Sequence, residues 1–259
     1  MTAPLIVLGA GGKLGTLLSG IWPTDVVQYR RADLDILDDA RLTAALRRAA
    51  AVLCLAGVTH DADRPMSLNT TLAQLTLDAA ARAQSGRVFL MSSAAVYGAQ
   101  DGPLSEDTAP MPRSDYARAK LEMEAMALAH AHPNTVLRLG NVAGADTILG
   151  GWHDMFTLDT LPDGTTPRRS YVGPGALVRV LMELAGASDL PNVLNVAAPV
   201  SVQMGALLDA AGLVWAPRAA TPDTIPEVTL DTSALAAFAD FDPQDQTPAG
   251  IVADWRAAP

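Results

Sequence analysis

Tyr116 and Lys120 stand four residues apart in the stretch SDYARAKLEMEAMALAHAH. On a helix that spacing stacks both side chains on one face, so a phenol and an ammonium can address one point in space. A free phenol titrates near pH ~10 and is a poor base at neutrality. An adjacent ammonium stabilises the phenolate and draws that value down, which makes the pair a device for moving a proton to or from an oxygen. The same pair is also what an ordinary solvated helix carries, so its meaning depends on partners. One candidate partner is the hydroxyl-bearing run Met91-Ser92-Ser93-Ala94-Ala95-Val96-Tyr97-Gly98, which closes an apolar segment.

A second constellation lies at the start of the chain. The run LIVLG is followed by Ala10-Gly11-Gly12-Lys13-Leu14-Gly15, so that Gly9, Gly12 and Gly15 fall at a GxxGxxG spacing on a strand-to-helix turn. Missing side chains there let a pyrophosphate approach the backbone amides at a helix N-terminus. The next apolar run, DVVQY, ends in Arg30-Arg31, where an NAD-specific fold of this kind places an acidic residue on the ribose hydroxyls. A guanidinium at that point pairs with a ribose 2′-phosphate, so NADP is favoured, with NAD possible.

The elements that must position these groups follow from the hydrophobic pattern. Short apolar runs (LIVLG, DVVQY, AVLCLAG, RVFLMSS, TVLRLGN) alternate with helix-period segments up to Gly144. Buried strands separated by helices predict an α/β fold, a doubly wound parallel Rossmann sheet. Past Gly144 the texture shifts to Gly, Pro, Trp and Asp, with helical GALVRVLMELAG and SVQMGALLDAAG and a short strand VLNVAA between them. This predicts a dinucleotide-binding domain over 1–144 and a small C-terminal α/β substrate subdomain over 145–259, interleaved with the first and not folding independently. The tail APRAATPDTIPEV, broken by prolines, is expected to run extended over the surface.

Composition excludes several classes. The 259 residues are 49% hydrophobic and 18% charged, as in a globular protein. The formal charge of −10 argues against nucleic acid as a partner. No run approaches the ~20 apolar residues of a membrane span, and no basic leader precedes the first apolar run. No membrane partner and a cytoplasmic location are therefore expected. The lone Cys54, in AVLCLAG, reads as a buried core thiol. The four histidines show no metal-ligand spacing, so no metal is expected; His60-Asp61-Ala62-Asp63 reads as a solvated loop, and Glu122 and Glu124 as a solvated helix face.

The glycine turn, the SSAAVYG segment and the Tyr-x-x-x-Lys pair, in this order, resemble the extended short-chain dehydrogenase/reductase superfamily, its NAD(P)-dependent epimerase/dehydratase group. Further matches are Asp35-Ile36 after a presumed third strand, Leu55-Ala56-Gly57 after a fourth, Asn69 opening the next helix, and Arg138-Leu139-Gly140-Asn141-Val142-Ala143-Gly144 after a sixth. The resemblance implies an NAD(P)-dependent oxidoreductase or epimerase acting on a sugar-like or small carbonyl substrate. Ser93, Tyr116 and Lys120 would be its catalytic set, with Lys120 also on the nicotinamide ribose. Gly9, Gly12, Lys13, Leu14 and Gly15 would meet the pyrophosphate, and Arg30 and Arg31 the adenosine ribose. Asp35 and Ile36 would lie near adenine, and Leu55, Ala56, Gly57, Asn69 and Met91 would complete the cofactor shell. Asn141 and Arg169 would lie at the substrate, and Asn69 has a second reading as a plain helix cap.

The resemblance also implies a homodimer through the helices 69–83 and 116–131. It departs from nucleotide-sugar members in two places: Gly173-Pro174-Gly175-Ala176 replaces a His-Val-x-Asp element after Arg169, and the segment before Asp163 is short. The early run Arg31–Asp38 is similar to dTDP-4-dehydrorhamnose reductases, which keeps simple reduction open, and Ser-Ser-Ala lacks the Thr-Asp-Glu run of 4,6-dehydratases. Trp152, His153, Met155 and Phe156 would form either a wall over the substrate or a hydrophobic plug. A non-catalytic NADP(H)-binding redox sensor is the competing class.

Overall fold

Strand β1, Leu5–Leu8, is apolar at all four positions and buried throughout, as a central parallel strand covered on both faces must be. The computed structural model describes residues 4–59 and 64–259. After β1 come α1 (Lys13–Leu18), β2 (Val27–Tyr29), α2 (Asp39–Leu46), β3 (Ala51–Cys54), α3 (Leu68–Ala83), β4 (Arg87–Ser93), α4 (Asp115–Ala129) and β5 (Asn134–Leu139). The C-terminal part adds β6 (Asn141–Val142), β7 (Thr157–Thr160), β8 (Arg168–Arg169), β9 (Tyr171–Val172), α5 (Pro174–Gly186) and β10 (Val193–Val196). It ends with β11 (Val202–Gln203), α6 (Met204–Ala210), β12 (Ala216–Ala219), β13 (Glu227–Val228) and α7 (Pro248–Ala257).

The main sheet has the order β10-β5-β4-β3-β1-β2, every pairing parallel. Alternation along each strand divides the core in two. Leu5, Val7, Leu53, Phe89 and Leu137 pack against α5, while Ile6, Leu8, Val52, Leu90 and Val136 pack against α2, α3 and α4. The chain leaves β1 for β2 on one side and returns to β3 on the other. This reversal opens a crevice at the carboxyl ends of β1 and β3, where open α/β sheets bind ligands.

Two expectations are corrected here. No third strand lies between β2 and Asp35. Leu34 and Ile36 alternate with aspartates and are buried, but the Asp33 carboxylate accepts the Arg30 amide and Asp35 accepts that of Leu37, curling the backbone into turns. The strands after β2 therefore each rank one lower than expected. Glu124 is not solvated: it is 1% exposed, whereas Glu122 faces solvent. The tail runs extended at the surface, and there β12 pairs with β7 and β13 with β8.

A smaller apolar cluster under α6 and α7 includes Leu158, Leu207 and Ile251, with Trp152 and Phe156 packed against it. Trp152 Nε1 donates to Val214 O at 3.0 Å, so Trp152 and Phe156 plug the C-terminal part, while His153 and Met155 face solvent. On the outer side of α4, where the dimer expectation rests, Arg118, Glu122, Ala125 and Leu128 are exposed. Among the described residues no helix is long and apolar enough to cross a membrane and no metal-holding group occurs; His60 to Asp63 lie outside them.

Candidate active site

Ser114 starts the site. Its hydroxyl accepts the Ala117 amide, capping α4 so that Tyr116 falls in the first helical turn and Lys120 one turn on. Lys120 is 6% exposed and its Nζ donates to Met91 O, at the end of β4, at 2.7 Å. Its Nζ lies 5.9 Å from the centre of the Tyr116 ring. Ser93 closes β4, and its Oγ accepts the Ala95 amide at 3.2 Å, which turns the chain into the short 3-10 turn 94–97. Phenol, ammonium and hydroxyl thus gather where β4 ends beside α4.

The electrostatics differ from the expectation. Burial raises the Tyr116 phenol above its ordinary value, and an interaction with the Ser93 hydroxyl works against that rise. Burial lowers the Lys120 ammonium to about 8, opposed by the nearby Cys54 and Glu124. The lysine spends its close contact on a backbone carbonyl, and the phenol therefore stays protonated at neutral pH.

This depression is a folding cost. Between pH 8 and 10.5 the folded chain binds fewer protons at Lys120 than the unfolded chain, so stability rises with pH through that window. The cost is full below the folded value and amounts to roughly 3 kcal/mol. Lys120→Met leaves Met91 O without its donor, at about 1 kcal/mol. We expect the variant to be more stable than the parent by about 1–2 kcal/mol at pH 7, the net of these two effects. Denaturant unfolding at pH 7, 9 and 10.5 should show that advantage disappear; a constant difference would rule out a depressed lysine.

Two cavities flank this cluster: one is lined by Ser93, the other reaches Lys120 only through Gly57, and neither is lined by Tyr116 or Lys120. One, of 380 Å³, lies in the crevice and is lined by Gly9, Gly11 and Gly12, by Arg31, Asp35 and Ile36, and by Leu55, Ala56 and Gly57, with Leu34, Leu37, Arg64, Leu68 and Leu72. Gly9 has φ +84°, and a Cβ on it would stand 2.5 Å from the Ala56 amide nitrogen. Gly12 caps α1, and a Cβ there would protrude into open space apart from Gly9 O at 3.4 Å. Backbone free of side chains at one end and a largely apolar slot at the other fit an adenine dinucleotide; the Gly9 and Gly12 amides themselves donate to Tyr29 O and Gly9 O. Gly15 does not line the cavity; it lets α1 pack on β1, its absent Cβ lying 2.5 Å from Gly9 O. Leu14 packs on the core, and Lys13 Nζ donates to Asp146 O at 3.3 Å.

Arg31 Nε pairs with Asp35 Oδ2 at 3.3 Å, while the Arg30 stem lies beside Gly11 and its guanidinium makes no ion pair among the described residues. Asn69 is not the cap of α3. Its amide accepts from Val58 N and donates to Val58 O and Met66 O, tying the loop after β3. A Cβ on Gly57 would stand 2.6 Å from Asn69 Oδ1 and 3.3 Å from Lys120 Nζ, so this glycine brings the cofactor cavity up to the catalytic lysine.

The other cavity, of 320 Å³, is lined by Ser93, Asn141 and Arg169 as expected, and by Arg113, which sequence reasoning missed. Sequence reasoning also missed Gly11, although the doubled glycine of GAGG marks it.

A family model described as the NAD dependent epimerase/dehydratase family matches residues 7–154, more than half the chain. The chain belongs to this family. Within the epimerase/dehydratase family, a UDP-glucose 4-epimerase of Azospirillum brasilense is 34% identical over 116 residues, 43% of this chain and 33% of that protein. The match thus spans a third of the length of that curated relative. Among solved structures, the chain is similar to UDP-glucose 4-epimerase from Brucella ovis in complex with NAD, with TM-score 0.77, 20% identity and 96% of each chain covered. It is similar also to UDP-glucuronic acid 4-epimerase from Bacillus cereus in complex with UDP-glucuronic acid and NAD (0.74, 19%, 98% of each). A third likeness is to WbmG of Bordetella bronchiseptica in complex with NAD and UDP (0.72, 20%, 97% of this chain and 94% of that one). These likenesses establish a fold shared by this epimerase/dehydratase-family chain with the three solved enzymes.

Proposed function

We propose that the protein is an NAD(P)-dependent oxidoreductase or epimerase acting at a hydroxyl or carbonyl carbon of a sugar-like substrate. The observation that carries this reading is the placement of Lys120 behind Gly57 of the glycine-floored crevice, with Tyr116 beside it and Ser93 on the lining of a second cavity. Gly9, Gly11 and Gly12 would hold the pyrophosphate, and the slot from Ile36 to Ala56 the adenine. When bound, the nicotinamide supplies the hydride donor or acceptor. The chain's own part is proton work. Ser93 holds the substrate oxygen, and Tyr116, a neutral phenol, delivers a proton to it in reduction or recovers it in oxidation. Lys120 stabilises the phenolate formed when that proton leaves. A redox sensor needs no such relay, and family membership favours the enzyme.

The cofactor is NADP in this reading: Arg31 lines the crevice but is engaged with Asp35, and Arg30, whose stem lies beside Gly11, makes no ion pair among the described residues. The NAD carried by the solved relatives is the alternative. Titration followed by nicotinamide fluorescence should show NADPH binding at least tenfold tighter than NADH, the worth of one charge-assisted bidentate contact, about 1.4 kcal/mol or more. Arg30→Ser should erase that ratio by weakening NADPH alone. Equal affinities in the parent would return the preference to NAD.

A further inference from the structure

Arg113 belongs to none of the motifs above, yet it lines the cavity that holds Ser93 and also a 170 Å³ recess that opens beside it. Its placement is built. Met111 N donates to Val96 O on one side, Ser114 caps α4 on the other, and Gly98 lets the loop fold back, since a Cβ there would collide with Met111 O; the Arg113 side chain itself is exposed. The guanidinium makes neither an ion pair nor a hydrogen bond among the described residues. Across the cavity, Arg169 is anchored by donating Nη1 to Arg168 O at 2.7 Å and Nη2 to Ile225 O at 2.9 Å. The 320 Å³ cavity that both arginines line has no carboxylate on its lining among the described residues, in a chain of formal charge −10. The nearest acids, Asp101, Asp223 and Glu227, belong to the recess, and the Glu227 carboxylate already accepts the Thr229 hydroxyl.

Two arginines on the lining of one small space that no carboxylate of the described residues lines select an anion, with Glu227 acting on Arg169 from the adjoining recess. The volume is at the lower end of ligand pockets, about 300–1,000 Å³, so the anionic group and the reacting carbon sit on one compact molecule. We infer that Arg113 is a specificity-determining residue which, with Arg169, selects a hexose-sized substrate bearing a carboxylate or phosphate, rather than a neutral sugar or a nucleotide-linked one. This inference rests on the proposed function, since it assumes that the Ser93 cavity is where substrate reacts.

The test uses the full chain saturated with NADPH, so that anions cannot report on the cofactor crevice. Inorganic phosphate, D-glucuronate, D-glucose 6-phosphate, D-glucose and UDP-glucose are titrated by calorimetry against the parent, Arg113→Ala and Arg113→Lys. Phosphate and the compact anions should bind the parent, bind Arg113→Ala about ten- to a hundredfold more weakly, and recover in part with Arg113→Lys. D-Glucuronate against D-glucose 6-phosphate then separates carboxylate from phosphate. The inference is overturned if D-glucose binds as well as the anions, if Arg113→Ala binds them unchanged, or if UDP-glucose binds tighter than every compact anion. Failure of both NADPH and NADH to bind would instead bring down the proposed function, and the two failures are separate readings of one series.

Discussion

Tyr116→Phe is expected to lower turnover by about 10²–10⁴-fold, the usual worth of a positioned general acid or base, while leaving NADPH affinity within about twofold. The substitution removes only the hydroxyl. The ring stays over Lys120, whose Nζ is 5.9 Å from its centre, and the Ser114 cap and α4 are untouched. Because burial holds the phenol above its ordinary value, the parent begins each reduction with the proton in place. The variant has none to deliver, and the loss should appear in kcat more than in KM, as expected of a group that acts in the transition state. Steady-state kinetics with a carbonyl panel, with cofactor fluorescence as control, reads both quantities. Unchanged turnover would remove Tyr116 from the chemistry, and a parent inert across the panel would favour the redox-sensor reading.

What could be read beforehand was whatever the backbone or the chemistry restricts to few residue types. The glycine turn was visible because Gly9 needs a positive φ and Gly15 a close approach, and no other residue supplies both. The parallel sheet was visible because its strands are buried on both faces and read as unbroken apolar runs. The presumed third strand before Asp35 shows the limit: Leu34 and Ile36 are buried, but Asp33 and Asp35 bond neighbouring amides and curl the chain into turns. Arg113 was illegible because its role depends on where the loop between β4 and α4 folds back. Glu124 was legible and was misread. Tyr116, Lys120 and Glu124 follow at steps of four, so the carboxylate lies on the same helix face as the catalytic pair, turned to the sheet.

That buried carboxylate supports the second large prediction. Glu124 accepts from Arg138 Nη2 at 2.7 Å and from Nε at 3.2 Å, and from the Ser92 hydroxyl at 2.5 Å. Arg138 Nη1 donates to the Tyr97 hydroxyl at 2.9 Å, which donates to Asn195 Oδ1 at 2.8 Å, so the network joins α4 to β4, β5 and β10. Glu124→Ala strands the Arg138 guanidinium in the core and is expected to cost about 3–5 kcal/mol, whereas Glu124→Leu combined with Arg138→Met should recover most of it, because the pair's attraction mainly offsets its own desolvation. Urea unfolding of the single and double variants decides this; a double variant as unstable as the single one would mean that the ion pair itself stabilises the fold. Activity should not follow stability. Glu124 is one of the charges that hold the Lys120 ammonium up to about 8. Without it that value falls further, and any rate that needs the charged lysine should lose its alkaline limb at lower pH. A double variant that is stable yet shows this displaced pH profile would place Glu124 behind the catalytic lysine as its electrostatic support, and an unmoved profile would confine it to the architecture.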